Sequence, residues 1–562
     1  MKKTYQDYIN EGNEAGAIMS AQGFTAIAQG LPSIAVNEIV QTESGSQAIV
    51  NSLYEDTVEL LMIDRGSASK GEPLVATKQI LSVPCGMSLK GRMISPLGEP
   101  LDGGEPLVDA QMMPLENEAP PIYKRSKIKD QLITGIMLSD LLVPLGRGQR
   151  EVVMGDAKSG KTSFLLPILM HAKEENMVGV YVGIGKTRSE LRRIATQLIE
   201  NNPGSDIVVV GTSSSDSVTM QYLAPYAGMT MAEYFRDNGQ DVFLVLDDLG
   251  NHAKAYREIS LLNNRLPGRD SYPGDIFYAH SRLLERGGCV VGPSGNPNTI
   301  TLMPIIETIG GDVTGYVQTN LISMSDGHTL FDLETFYKGI RPAINIGLSV
   351  SRVGKQTQTK IQKFVASELR VMIAQYQEAK NFVRFGAELT DKTKQLFLRG
   401  TIFDELIKQD LSTHLKRHEQ LLVMLALLDG FYDPFPLKEM LLVRKKLLEI
   451  FAQPQHEALK QALLDSADKE VRQPLQDAIY KEAAQAYGLK EGTAPAVAAS
   501  TQAQLNQPPA GGDQKSEAGN GQSQSADAAN ANQPPSEGTP PANNQDPAAN
   551  GQPPTDNAGG TK

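Results

Sequence analysis

The chain is 562 residues long, which at roughly 150 residues per domain implies three or four units including any tail. Its formal net charge is -12 with no long basic block, which disfavours non-specific adhesion to nucleic acid. Cys85 and Cys289 lie in unrelated segments, so neither a disulfide framework nor a zinc site is indicated, and no stretch approaches the roughly 18 uninterrupted apolar residues of a membrane span.

The N-terminal segment MKKTYQDYINEGNEAG lacks the apolar core of a secretory leader, so an intracellular chain with buried thiols is expected. From about Gly16 to Val83, short β-rich runs such as FTAIAQ, SQAIVNSLY and TVELLMI alternate with turns, which predicts a small β-barrel domain over 1–83. Over 84–366, apolar runs alternate with amphipathic stretches: EVVM precedes TSFLLPILMHAK, and VGVYVGIG precedes SELRRIATQLIE. Strands alternating with helices predict a RecA-like α/β domain built on a parallel sheet. Helical periodicity in LLVMLALL and LLVRKKLLEIFAQ predicts a helical domain over 367–453, with a helical extension over 454–491. The segment 492–562 is Ala, Pro, Gln, Asn, Gly and Ser without aromatics, and is expected to be a disordered tail.

The stretch MGDAKSGKTS carries the chemistry. Gly155, Gly160, Lys161 and Thr162 fit G-x-x-x-x-G-K-[ST] between a predicted strand, Glu151 to Met154, and a predicted helix. Backbone N–H groups of such a loop surround phosphate oxygens, Lys161 reaches the β/γ-phosphates, and the Thr162 hydroxyl suits Mg²⁺. A second strand, Val242 to Leu246, ends in Asp247 and Asp248, and Asp247 is expected to orient Mg²⁺ through water. Hydrolysis also needs a group that aligns water, yet the neighbouring strand leaves on Lys186, which cannot replace a carboxylate in that role. The pocket is therefore expected to hold nucleotide without cleaving it. Glu190, at a helix start, suits the macrodipole, and His252 and His280, without partners at ligand spacing, are expected to be packing or surface residues.

The phrases GRGQREVVMGDAKSGKTS, VFLVLDDLGNHAKAYREISLL, PGRDSYPGDIFYAHSRLLER, MPIIETIGGDVTGYVQTNLISMSDG and FYKGIRPAINIGLSVSRVG resemble, in order, the alpha subunits of F-type ATP synthases, from about Gly16 to Gln453. The resemblance implies ATP or ADP with Mg²⁺ as cofactors, and an alternating hexameric ring with a beta-type catalytic subunit around a gamma-type central stalk. It also implies ATP synthesis or hydrolysis coupled to proton translocation, at the cytoplasmic side of the membrane and attached only through the complex. By match of position it assigns Gly155, Asp156, Ser159, Gly160, Lys161, Thr162 and Ser163 to the phosphates, and Thr162 and Asp247 to the metal. Phe336, Arg341 and Gln409 fall at the adenine pocket, and Arg352 is the arginine that enters the neighbouring beta site.

Several residues depart from that pattern. Lys186 stands where alpha subunits carry glutamine, Ala157-Lys158 replaces Arg-Gln, and Asp410-Leu411 replaces the second glutamine of the base pocket. About 15 residues precede the barrel where the family has a stator-binding helix, which leaves the stator contact open, and the stretch after Pro454 is expected to exceed the family outline. Two alternatives stay open at this point. One is an alpha-like subunit of a specialised rotary ATPase with another mechanical output; the other is a Rho-type hexameric nucleic-acid motor, whose aromatic and basic interleaving the barrel lacks.

Overall fold

The computed structural model describes residues 3–63, 68–292, 295–384, 391–410 and 413–487. The expected disordered tail therefore lies outside the described residues.

After a short helix, α1 (Tyr5–Asn10), six antiparallel strands close into a barrel: β1 (Ala15–Gln22), β2 (Thr25–Gln29), β3 (Glu38–Thr42), β4 (Gln47–Leu53), β5 (Thr57–Met62) and β6 (Pro73–Ile80). Their order around the barrel is β1-β2-β5-β4-β3-β6. Because side chains alternate along a strand, Ala26 and Ala28, Ala48 and Val50, and Val58, Leu60 and Met62 point inward and fill the lumen. The opposite face of β4 and β5 presents Ile49 and Leu61, which join the core of the following domain.

That domain is a nine-stranded sheet. Its strands are β7 (Met93–Ile94), β8 (Glu151–Asp156), β9 (Met177–Lys186), β10 (Ile207–Ser213), β11 (Asp241–Asp247), β12 (Pro297–Thr308), β13 (Gly327–Phe331) and β14 (Val350–Ser351). They run in the order β14-β13-β8-β12-β11-β9-β10-β7, with Gly288–Val291 pairing β12 off this path. Pairing is parallel from β13 through β7, and β14 closes the edge antiparallel. Alternation again sorts the side chains: Val153, Tyr181, Phe243 and Val245 enter one core, and Val152, Met154, Val180, Leu244 and Leu246 enter the other. Both faces are covered, as a parallel sheet requires. The covering helices include α2 (Lys161–Met170), α3 (Arg188–Ala195), α4 (Val218–Asp237), α5 (Leu249–Leu262) and α6 (Ile276–Leu284).

The helical region comprises α7 (Lys360–Arg384), α8 (Asp391–Leu406), α9 (Arg417–Leu428), α10 (Met440–Phe451), α11 (Glu457–Leu464) and α12 (Lys469–Tyr487). It begins at Lys360, ahead of the expected boundary at 366. Its apolar residues, from Ile361 and Leu421 to Leu463 and Ile479, continue the same core that holds Phe164 and Leu169 of α2.

Candidate functional site

Strand register gathers the site at the carboxyl ends of the parallel strands, where α/β sheets bind ligands. Gly155 on β8 pairs with both Glu307 on β12 and Phe331 on β13, and Asp247 on β11 pairs with Gly183 on β9. Two glycines shape the loop. A Cβ on Gly155 would lie 2.6 Å from the Phe331 carbonyl oxygen, and Gly160, at φ +99°, caps the N-terminus of α2 in the left-handed region.

Asp156 anchors this loop rather than facing the ligand: its Oδ1 accepts from the Thr308 hydroxyl at 2.6 Å and the Gly311 amide at 2.9 Å. The Ser159 hydroxyl is buried without a protein partner among the described residues. Lys161 is buried and donates to the Gly155 and Asp156 carbonyls at 2.8 and 2.7 Å. Burial pulls its pKa below the ordinary value, against the opposing charges of Glu307 and Asp247. Glu307, 3.9 Å from the Lys161 ammonium, is a neighbour the sequence analysis did not single out.

Asp247 is the hub. Its Oδ2 accepts from the Thr162 hydroxyl at 2.9 Å and from the Tyr181 hydroxyl at 2.8 Å, and its Oδ1 meets the Lys186 ammonium at 2.7 Å. Burial alone would lower the Lys186 pKa, but the Asp247 carboxylate, with Asp248 and Glu190, raises it above the ordinary value. Asp248 turns away to accept from the Asn251 amide at the start of α5, and burial, then the Asp247 charge, pushes its pKa up to about 6. Glu190 lies 3.7 Å from Lys186. For Mg²⁺, the Thr162 oxygen keeps lone pairs free after donating its proton, but the Asp247 carboxylate already carries a cation. The donor set as a whole therefore does not fit the expected metal.

Beside the loop opens a cavity of about 470 Å³, within the range of nucleotide-sized sites. Ser159, Gly160 and Ser163 line it together with Phe336, Arg341 and Gln409, whereas Gly155, Asp156, Lys161 and Thr162 do not. The Arg341 guanidinium lies over the Phe336 ring, 4.8 Å from its centroid. Gln409 differs from a free base-reading amide. It accepts from the Met137 amide at 2.7 Å and donates to the Gly135 and Thr413 carbonyls at 3.0 and 3.3 Å.

Arg352 stands apart. It follows β14, whose Ser351 pairs with Gly327, which pairs with Glu151 at the amino end of β8. The P-loop begins at the other end of β8, about 13 Å along at about 3.3 Å per residue, and two strands over. Arg352 is exposed and has no ion-pair partner among the described residues. Its strand is held from beneath: Ser351 Oγ donates to the Pro144 carbonyl at 2.7 Å and accepts from Gln149 at 3.0 Å, and Gln149 donates to the buried Glu151 at 2.7 Å.

His252 and His280, expected to be packing or surface residues, are both buried and share a 3.1 Å hydrogen bond between α5 and α6. His171, Glu174 and His414 cluster at the far end of α2. Their imidazoles stack with centroids 4.4 Å apart and 15° between planes, which directs the in-plane lone pairs past one another rather than onto one ion. No helix of the described residues is long and apolar enough to cross a membrane.

Residues 135–351 match the model of the ATP synthase alpha/beta family, nucleotide-binding domain, and residues 358–482 match that of the ATP synthase alpha/beta chain, C terminal domain. The ATP synthase subunit alpha of Anaplasma marginale (strain Florida) is 41% identical over 447 residues, 78% of this chain and 88% of that protein. That of Helicobacter acinonychis (strain Sheeba) is 38% identical over 468 residues, covering 83% and 93%. That of Aquifex aeolicus (strain VF5) is 39% identical over 493 residues, covering 87% and 97%. The match through 482 also corrects one expectation. The helices α11 and most of α12 lie inside the family outline, in keeping with their share of the common core.

Proposed function

The chain belongs to the ATP synthase alpha/beta family as an alpha subunit, and from that premise we propose that it holds nucleotide without cleaving it and lends Arg352 to a neighbouring beta-type catalytic site. On this reading Lys161 and the amides of Gly155 to Thr162 grip the phosphates, and the base enters the cavity between Phe336, Arg341 and Gln409. Beta-type subunits alternate with this chain around a gamma-type stalk, and the ring couples ATP synthesis or hydrolysis to proton translocation. The ring lies at the cytoplasmic side of the membrane and touches it only through the complex.

One observation carries the non-catalytic half: Lys186, 2.7 Å from Asp247, occupies the strand end from which a water-aligning carboxylate would act. An ammonium that is already paired and raised in pKa neither accepts a proton from water nor orients it. The position of Arg352 supports the other half. An exposed guanidinium at an edge, too far to reach its own P-loop, presents fixed donors to phosphate oxygens of an adjoining subunit.

The test is steady-state ATPase of the full chain alone, of its ring with a beta-type partner, and of that ring carrying Arg352→Ala. We expect no turnover by the lone chain, turnover by the ring, and a loss on the order of 10³-fold on substitution. Substantial turnover by the lone chain overturns the non-catalytic role. A ring unaffected by Arg352→Ala overturns the arginine's.

A further inference from the structure

We propose that Lys186 is a built-in cation of the nucleotide site, so that this chain takes ATP or ADP in the metal-free form. The inference rests on the nucleotide-holding reading above and specifies the ligand of that site.

Lys186 follows an irregular step in β9 and pairs with Ser213 on the neighbouring strand. Gly183 pairs with Asp247, and β9 runs on to Lys186, so the lysine stem leaves the sheet alongside the acid. Its ammonium sits 2.7 Å from Asp247 Oδ1, with side-chain exposures of 12% for the lysine and 2% for the aspartate. A solvated surface pair would gain little from such a contact, but a pair this far from water is screened weakly. The second oxygen of Asp247 is taken by Thr162 and Tyr181. Asp247 is therefore satisfied on both oxygens by this chain's own donors.

A metal dication held through that carboxylate would have to displace the ammonium. Displacement moves Lys186 away from Asp247 and from Glu190, 3.7 Å on its other side, and leaves two carboxylates to share one new ion. If the ammonium stays, it repels the dication across a short distance in a medium of low dielectric. The polyphosphate has no such conflict. Lys161 and the amides at the start of α2 offer its oxygens a full charge and a helix N-terminus, and Lys186, held on the same Asp247 that binds Thr162, adds a second cation beside them. Lys186 thus supplies fixed positive charge where a P-loop site ordinarily recruits it with the nucleotide.

ATP binding to the full-length chain, measured by calorimetry in EDTA and in excess Mg²⁺, tests this directly. For the wild-type chain the two dissociation constants should agree within about threefold, whereas Lys186→Gln should bind about tenfold or more weakly in EDTA and recover in Mg²⁺. Equilibrium dialysis against ATP and Mn²⁺ gives a second readout that needs no variant: the wild-type chain should retain ATP without a stoichiometric share of Mn²⁺. Wild-type binding that requires Mg²⁺, or stoichiometric Mn²⁺ on the wild-type chain, overturns the inference and leaves nucleotide holding intact. Equal affinity in both buffers for Lys186→Gln overturns the assignment to this lysine. Absence of ATP binding by the wild-type chain in either buffer overturns the nucleotide-holding reading itself.

Discussion

Two hydrogen bonds made by one carboxamide, that of Gln409, join it to Met137 and Gly135 beside the nucleotide cavity, and a third ties it to the Thr413 carbonyl of its own segment. The Met137 amide has no other acceptor among the described residues and its bond is buried, so truncation strands it, whereas the Gly135 carbonyl still accepts from the Leu415 amide at 3.0 Å. Gln409→Ala should cost about 1–3 kcal/mol for each main-chain group left without a partner. Hydrogen exchange at the Met137 amide should accelerate accordingly. Gln409→Glu keeps an acceptor for Met137 but cannot donate to Gly135, so it should restore protection at Met137 alone. Equal exchange in Gln409→Ala and the wild-type chain would show that the amide is held by something else. Gln409 thus shapes the cavity wall more than it reads a base, because its donors and acceptor face the backbone.

At the scale of the element, β14 is a two-residue edge strand that would fray without support, and it carries Arg352 at its end. The support is the buried relay from Glu151 through Gln149 to Ser351, which also accepts from the Gly354 amide at 3.2 Å. Ser351→Ala removes the relay's last member. It should lower turnover of the ring about tenfold by loosening Arg352, since misplacement of about 1 Å commonly costs more than that. ATP affinity of the lone chain should not change, because the P-loop lies at the far end of β8; a fall in affinity instead would locate the damage at the nucleotide site. Elements of this kind mark what was legible in the sequence. The P-loop could be read because its glycines, lysine and threonine are consecutive and its strand and helix are its immediate neighbours. Parallel strands were legible as apolar runs between amphipathic ones. The contacts that set chemistry were not. Lys186 reaches Asp247 and Thr308 reaches Asp156 only through pairing of strands distant in the chain. His252 finds His280 because α5 and α6 pack together, and no local pattern announces that pair. The edge position of Arg352 likewise follows from strand order, which periodicity does not specify.

For the molecule as a whole, the cores on the two sheet faces bury ionisable groups whose charges respond to acid in opposite senses. Burial holds His280 down at about 4 and His252 well below its ordinary value, so both stay neutral in the folded chain. Burial pushes Asp140 up to about 6, where it ties Thr134 and Gly135 to Gln420 of the helical region, and Asp248 up to about 6 beneath α5. The signs follow from linkage. Between about 6.5 and about 4 the unfolded chain binds protons on these histidines that the folded chain refuses, so they lower stability as pH falls. Over nearly the same interval the folded chain binds protons on the two aspartates that the unfolded chain releases, so they raise it. The two pairs therefore act in opposite senses as pH falls. Replacing one member should unmask the balance. His280→Gln keeps a hydrogen-bonding group beside His252 and removes one refused proton, so the variant should gain stability relative to the wild-type chain by about 1 kcal/mol per pH unit as pH falls from 6.5 towards 4. Urea midpoints of both chains at pH 7, 6 and 5 provide the measurement. A difference that stays constant with pH would mean that His280 is protonated equally in the folded and unfolded chains, and that the packing between α5 and α6 admits water.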